Sequence, residues 1–157
     1  MPNHSATQLQ ILPYQPGDQI HIRPILASIG WDEPYILAFE QAAAHFAQSD
    51  NAAVYMAHLD ATTIGFVFVE IHTWNRLAQI QGLAVGAAFQ RQGTASALVI
   101  QAEAFARSRH ARGTYVDTPT TNERGRRFYE ALGYQPGYIM PRYYADQLDG
   151  ITYQIFF

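Results

Sequence analysis

At 157 residues and 48% hydrophobic, the chain has the size and apolar content of one domain, 1–157, with residues 1–8 read as a flexible start. It has no cysteine, which excludes a disulfide, a thiol nucleophile and a cysteine zinc site; its ten basic residues are all arginines, which excludes a lysine-bearing Walker loop. The net charge of -3 conceals an asymmetry: Arg91 to Arg127 carries seven arginines against three acids, a net +4, and the remainder three against ten, a net -7.

A polyanionic ligand is drawn to the basic segment. With an acidic balance overall and no basic run with interleaved aromatics, nucleic acid is not expected as a partner. Residues 1–8 are polar and no apolar stretch approaches the length needed to span a bilayer, so the chain reads as cytoplasmic, without a membrane partner, as a monomer or homodimer. His4, His21, His45, His58, His72 and His110 are scattered without ligand spacing, and no metal is expected.

In chain order, Leu9 to Tyr14 reads as a first strand, closed by a turn at Pro13 to Gly17. Asp18 is placed to cap a helix that reaches about Ile29, carries Pro24 and stops at Gly30. Asp32 opens a second helix, with Pro34 in its first turn and an apolar stripe at Ile36, Phe39, Ala43 and Phe46. A meander follows, with strands at Ala53 to Leu59, Ile64 to His72 and Leu77 to Val85. On its middle strand Ile64, Phe66, Phe68, Glu70 and His72 alternate with Gly65, Val67, Val69 and Ile71; both faces are mostly apolar, so helices are expected on each side.

Leu83 to Phe105 organises the rest. A strand passes through the loop Gly86 to Gly93 into a helix with Ala95, Leu98, Val99, Ala102, Phe105 and Ala106 at helical spacing. A helix start leaves backbone N–H groups unpartnered and Gly93 carries no side chain to shield them, which outlines a phosphate site. Gly113 stops this helix, Thr114 to Asp117 begins another strand, and strand–helix–strand order argues for a parallel crossover. Asn122 caps a short helix with Gly125, Phe128, Tyr129 and Leu132 on one stripe, ended by Gly133. Tyr134 to Met140 and Ile151 to Phe157 read as the last strands, joined by the tyrosine-rich connection 141–150.

Leu83-Ala84-Val85 with Gln90-x-x-Gly93-x-Ala95, and Asn122 followed by Phe128-Tyr129-Glu130-Ala131-Leu132-Gly133-Tyr134, resemble the two signatures of the GNAT N-acetyltransferases. Ala87, Gln90 and Ala95 depart from the residues most frequent there; Gln90 and Ala95 are conservative for a contact made by backbone amides. The resemblance implies an α/β fold, a single domain with a mixed, mostly antiparallel sheet of about seven strands and about four helices. It also implies acetyl-CoA as cosubstrate, held by Leu83, Ala84, Val85, Gln90, Arg91, Gln92, Gly93, Thr94, Ala95 and Asn122, and Tyr129 as proton donor to the departing thiolate. The first two helices and the 141–150 connection would wall the acceptor site.

The implied reaction is direct acetyl transfer to a primary amine, on a small molecule or a peptide N-terminus. The base is less plain: where many members carry an acid on the fourth strand, Gln79 and Gln81 stand here, and Glu70 and His72 on the neighbouring strand are the candidates. If Thr73 to Arg76 is a four-residue hairpin loop, Glu70 lies opposite Gln79, on one face with Gln79, Gln81 and Leu83, and is the preferred base. The rival reading is a non-catalytic acyl-CoA-binding module with the same fold.

Overall fold

Alternating apolar residues build a seven-stranded sheet in the order β1-β2-β3-β4-β5-β7-β6. The computed structural model describes residues 7–157. The elements in chain order are β1 (Leu9–Pro13), α1 (Gln19–Ser28), α2 (Glu33–Ala47), β2 (Ala52–Leu59), β3 (Thr62–His72) and β4 (Leu77–Val85). They are followed by α3 (Thr94–Ser108), β5 (Gly113–Pro119), α4 (Glu123–Ala131), β6 (Gln135–Ala145) and β7 (Leu148–Phe156). Only β4 and β5 pair in parallel, as the crossover through α3 requires; the other neighbours are antiparallel. The expected loose start falls mostly outside the described residues, but Gln8 is tied down, its backbone N–H donating to Asp60 Oδ1 at 3.3 Å.

Two apolar layers follow from the pleat. Val67, Val69, Ile71 and Ile80 pack with Leu98, Val99 and Ala102 of α3, whereas Phe66, Phe68 and Ala84 pack with Ile22 and Leu26 of α1 and Ile36 of α2. Arg23 bonds both Glu33 and Glu40 and ties α1 to α2.

The expected hairpin register holds: His72 pairs with Leu77 and Glu70 with Gln79. Two bulges then shift side chains. Val69 pairs with Ile80 but Phe68 with Gly82, leaving Gln81 as an extra residue. From there the alternation of β4 reverses, so Leu83 lies opposite Val67 and packs into the α3 layer, not on the face of Glu70 and Gln79 as expected. A bulge between Ala57 and His58 leaves Ile64 without a partner on β2, and Ile64 joins the α3 layer instead of the face of Phe66.

Two further expectations are corrected. Asp18 does not cap α1 through its side chain; its carboxylate accepts the Gln15 N–H at 2.7 Å and holds the preceding turn. The 141–150 connection is not a long loop, because β6 runs on to Ala145 and β7 begins at Leu148. Around left-handed Arg142 (φ 58°) the ladder shifts register, and the Asp149 carboxylate accepts the Arg142 N–H at 2.9 Å.

Candidate active site

The site begins where β4 and β5 part. Their parallel pairing covers only Leu77 to Ile80 against Gly113 to Val116. Beyond it β4 bulges at Gln81 and turns toward α3, while β5 stays paired with β7 through Pro119. A bulge bends and twists its strand, so the two ends diverge and open a cleft of about 1030 Å³ at the carboxyl ends of the strands.

One half of the cleft is the start of α3. A 3₁₀ turn at Ala87–Phe89 leads to Arg91 (φ 62°) and Gly93 (φ 84°), both left-handed, so the chain reverses into the helix. Glycine suits Gly93 because of that φ; no protein atom lies within 4 Å of where a Cβ would stand. No side chain caps α3, so its first N–H groups remain free, and Arg91, Gly93, Thr94, Ala95 and Ser96 line the cleft there. Arg91 and Arg124 also line it, and among the described residues neither has a carboxylate within salt-bridge reach. Backbone donors at a helix start and two unpaired guanidiniums fit a phosphate-bearing ligand. Gln90 has a second task, its Nε2 donating to the Val85 carbonyl at 3.1 Å and bracing the loop.

The floor is the split. Leu83, Ala84 and Val85 line it from β4, and Asn122, Phe128 and Tyr129 from α4. Asn122 is both cap and wall: its Oδ1 accepts the Gly125 N–H at 3.0 Å and its Nδ2 donates to Thr118 Oγ1 at 3.1 Å. Tyr129 is the buried residue of α4, packed on Phe128, Tyr134 and Tyr153 with ring centroids 5.0, 5.7 and 6.2 Å away. Its ring lines the cleft, and burial pushes its hydroxyl well above the usual tyrosine value.

The other half is aromatic. Trp31, Tyr35 and Phe39 line it from the start of α2, and Tyr143 and Tyr144 from β6. Phe39 lies directly on the β4 bulge: a Cβ on Gly82 would come within 2.5 Å of Phe39 Cε1. Beneath it is a polar cluster in which Gln79 Oε1 accepts from Gln81 Nε2 at 3.1 Å, Tyr115 Oη at 3.0 Å and His72 Nε2 at 2.9 Å. Because a carbonyl oxygen can only accept, the His72 proton sits on Nε2. Burial and the nearby Asp117 carboxylate push Tyr115 up to about 12.

Of the residues singled out from sequence, Leu83, Ala84, Val85, Gln90, Arg91, Gly93, Thr94, Ala95, Asn122 and Tyr129 meet in this cleft; Gln92 and Glu70 do not line it. Glu70 stands one side chain back, its Oε2 accepting from Gln81 Nε2 at 3.0 Å. The carboxylate that does line the split is Asp117, half-buried, with Thr152 Oγ1 donating to its Oδ1 at 2.8 Å. Asp117 was overlooked, although a polar residue at the carboxyl end of the strand after a crossover carries that signal.

The model of the acetyltransferase (GNAT) family matches residues 23–134. No curated protein sequence matches the chain significantly. Among solved structures, the chain is similar to the ribosomal-protein-S18-alanine N-acetyltransferase from Escherichia coli, with TM-score 0.76 and 19% identity over 94% of this chain and 93% of that one. A protein from Bacillus anthracis assigned as a streptothricin acetyltransferase, in complex with acetyl coenzyme A, gives TM-score 0.77 and 18% identity over 96% and 99% of the two chains. The spermidine/spermine N-acetyltransferase from Vibrio cholerae gives 0.75 and 17% over 95% and 92%.

Proposed function

The chain belongs to the acetyltransferase (GNAT) family, and we propose that it transfers an acetyl group from acetyl-CoA directly to a primary amine. The observation that carries this reading is the meeting, in one cleft, of an uncapped helix start, two unpaired arginines, a buried tyrosine hydroxyl and a carboxylate. The similar Bacillus anthracis structure was obtained with acetyl coenzyme A. A module that only binds acyl-CoA would need the helix start and the arginines, not Tyr129 and Asp117 around the split.

Each residue's part follows from its place. The first turn of α3 with Arg91 and Arg124 takes the phosphates of the cosubstrate, and Leu83 to Val85 hold its pantetheine arm along the split. Bringing amine and thioester together there supplies much of the rate, since positioning removes the entropic cost of encounter. The amine must first lose a proton. An unperturbed alkylamine has a pKa near 10.4, so at pH 7 about one molecule in a few thousand is neutral, a deficit of roughly 4 to 5 kcal/mol. Asp117 is the carboxylate placed to take that proton; Glu70 instead orients Gln81.

Tyr129 faces the departing sulfur. A raised pKa keeps it protonated at any working pH, but full transfer to a thiolate whose thiol ionises near about 8.5 runs uphill. Its contribution is chiefly a hydrogen bond to the developing negative charge.

Coenzyme A release with a panel of amines, alongside thermal unfolding with acetyl-CoA, tests the reading. Saturation at about a hundred times Kd stabilises by about 2.7 kcal/mol. No shift in millimolar acetyl-CoA sinks the assignment; a shift with no release from any amine leaves the binding module.

A further inference from the structure

The acceptor half of the cleft has its own chemistry. Its walls are aromatic on both sides, and each is seated on a glycine. Phe39 rests on Gly82, with Trp31 edge-on at 4.8 Å between ring centroids; Tyr143 rests on Gly150, whose Cβ would come within 3.0 Å of it, with Tyr144 edge-on at 4.8 Å. A side chain at either glycine would force its ring to shift, so close ring–backbone packing holds both walls in place.

Charge in the cleft is sparse. Its acids are Asp32 and Asp117, against Arg91 and Arg124. Asp32 is exposed at the N-terminus of α2, where water and the helix's partial positive charge already offset it. Asp117 is therefore the one carboxylate among the interior lining residues available to a cation, and a polyamine would leave its further charges without a carboxylate partner and in a cleft that also carries two arginines.

Resting on the acetyl-transfer reading, we propose that the acceptor is a singly charged primary amine carried on an aromatic or large apolar body, with the body between the Trp31 and Tyr143 walls and the ammonium toward Asp117. Aromatic faces hold a flat apolar group by stacking and attract the adjacent ammonium, whereas a small polar amine leaves the walls wet. Two sources share this chemistry: a free arylalkylamine, and the N-terminus of a peptide that begins with an aromatic residue.

The test compares kcat/KM for 2-phenylethylamine, a pentapeptide amide beginning with phenylalanine, spermidine and ethanolamine, with acetyl-CoA saturating. One of the first two should exceed both spermidine and ethanolamine by at least about tenfold; which of them leads identifies the source. Trp31→Ala should raise KM for that acceptor by about tenfold, several times more than it changes KM for ethanolamine, keep the acetyl-CoA thermal shift, and be rescued by Trp31→Phe. Spermidine or ethanolamine equal to or better than both aromatic amines overturns the inference while the transfer reading stands, as does Trp31→Ala acting equally on every acceptor. Release from none of the four, with acetyl-CoA stabilisation intact, also overturns it; loss of that stabilisation is the separate failure of the cofactor reading.

Discussion

At the residue scale the proposed chemistry rests on Tyr129 and on which carboxylate takes the amine's proton. Tyr129→Phe keeps the ring against Phe128, Tyr134 and Tyr153 and removes only the hydroxyl. A hydrogen bond to a charged group is worth about 1.5 to 3 kcal/mol, so turnover should fall about 10- to 150-fold with acetyl-CoA affinity unchanged. A loss beyond about 10³ indicates full proton delivery; a loss under twofold makes Tyr129 packing alone. Asp117→Asn and Glu70→Gln separate the carboxylates through pH–rate profiles. With Asp117 as base, Asp117→Asn loses most turnover at low pH, where the amine is protonated, and recovers toward high pH, where it is already neutral. Glu70→Gln, which disturbs only the partner of Gln81, should then lower turnover by a similar factor at every pH. The opposite pattern returns the role of base to Glu70.

At the element scale the decisive feature is the start of α3. At φ 84°, a β-branched residue in place of Gly93 is strained, so Gly93→Val should cost about 1 to 3 kcal/mol of stability. No protein atom lies within 4 Å of the new Cβ, so the branched side chain projects into open space beside the free N–H groups. The acetyl-CoA thermal shift should therefore shrink by more than the loss of stability accounts for; an unchanged shift places the phosphates elsewhere. Asn122 shows why single motif residues resist one label: its Oδ1 caps α4 while its side chain also bonds Thr118 beside the cleft.

At the scale of the whole molecule, buried tyrosines couple stability to alkaline pH. Burial holds Tyr129, Tyr134 and Tyr144 above the usual value and pushes Tyr115 up to about 12; the Tyr134 hydroxyl also donates to Glu103 at 2.7 Å, whose negative charge raises it further. In the unfolded chain these groups ionise near about pH 10. Below that pH both states keep the protons and the stabilisation is intact; above it only the native state keeps them, so stability falls as pH rises. The buried pair Tyr129 and Tyr134 each contribute a slope of up to about 1.4 kcal/mol per pH unit, and solvent screening makes that of the half-buried Tyr115 and Tyr144 smaller. Urea midpoints should be level from pH 8 to about 9.5 and then drop, and Tyr134→Phe should flatten that drop. A midpoint independent of pH up to 11 would mean that these hydroxyls are wet in solution.

The elements and the helix-start half of the cleft were legible in the sequence because they depend on local order. Helical spacing from Ala95 to Ala106 is a property of adjacent turns, a crossover through one helix forces β4 and β5 parallel, and a four-residue loop sets Glu70 against Gln79 whatever lies beyond. The loop residues and Tyr129 met in one cleft because both motifs flank that crossover. Tertiary structure decided the rest. Period-two alternation carries Leu83 to the face of Glu70 only if no residue is inserted, and the bulge at Gln81, next to the glycine on which Phe39 sits, inserts one. That single step turned Leu83 to the α3 layer and helped part β4 from β5, leaving Asp117 at the cleft and Glu70 one side chain behind it. Which of these two carboxylates lines the cleft is set by where two strands cease to pair, and that depends on packing across the sheet rather than on the order of residues along either strand.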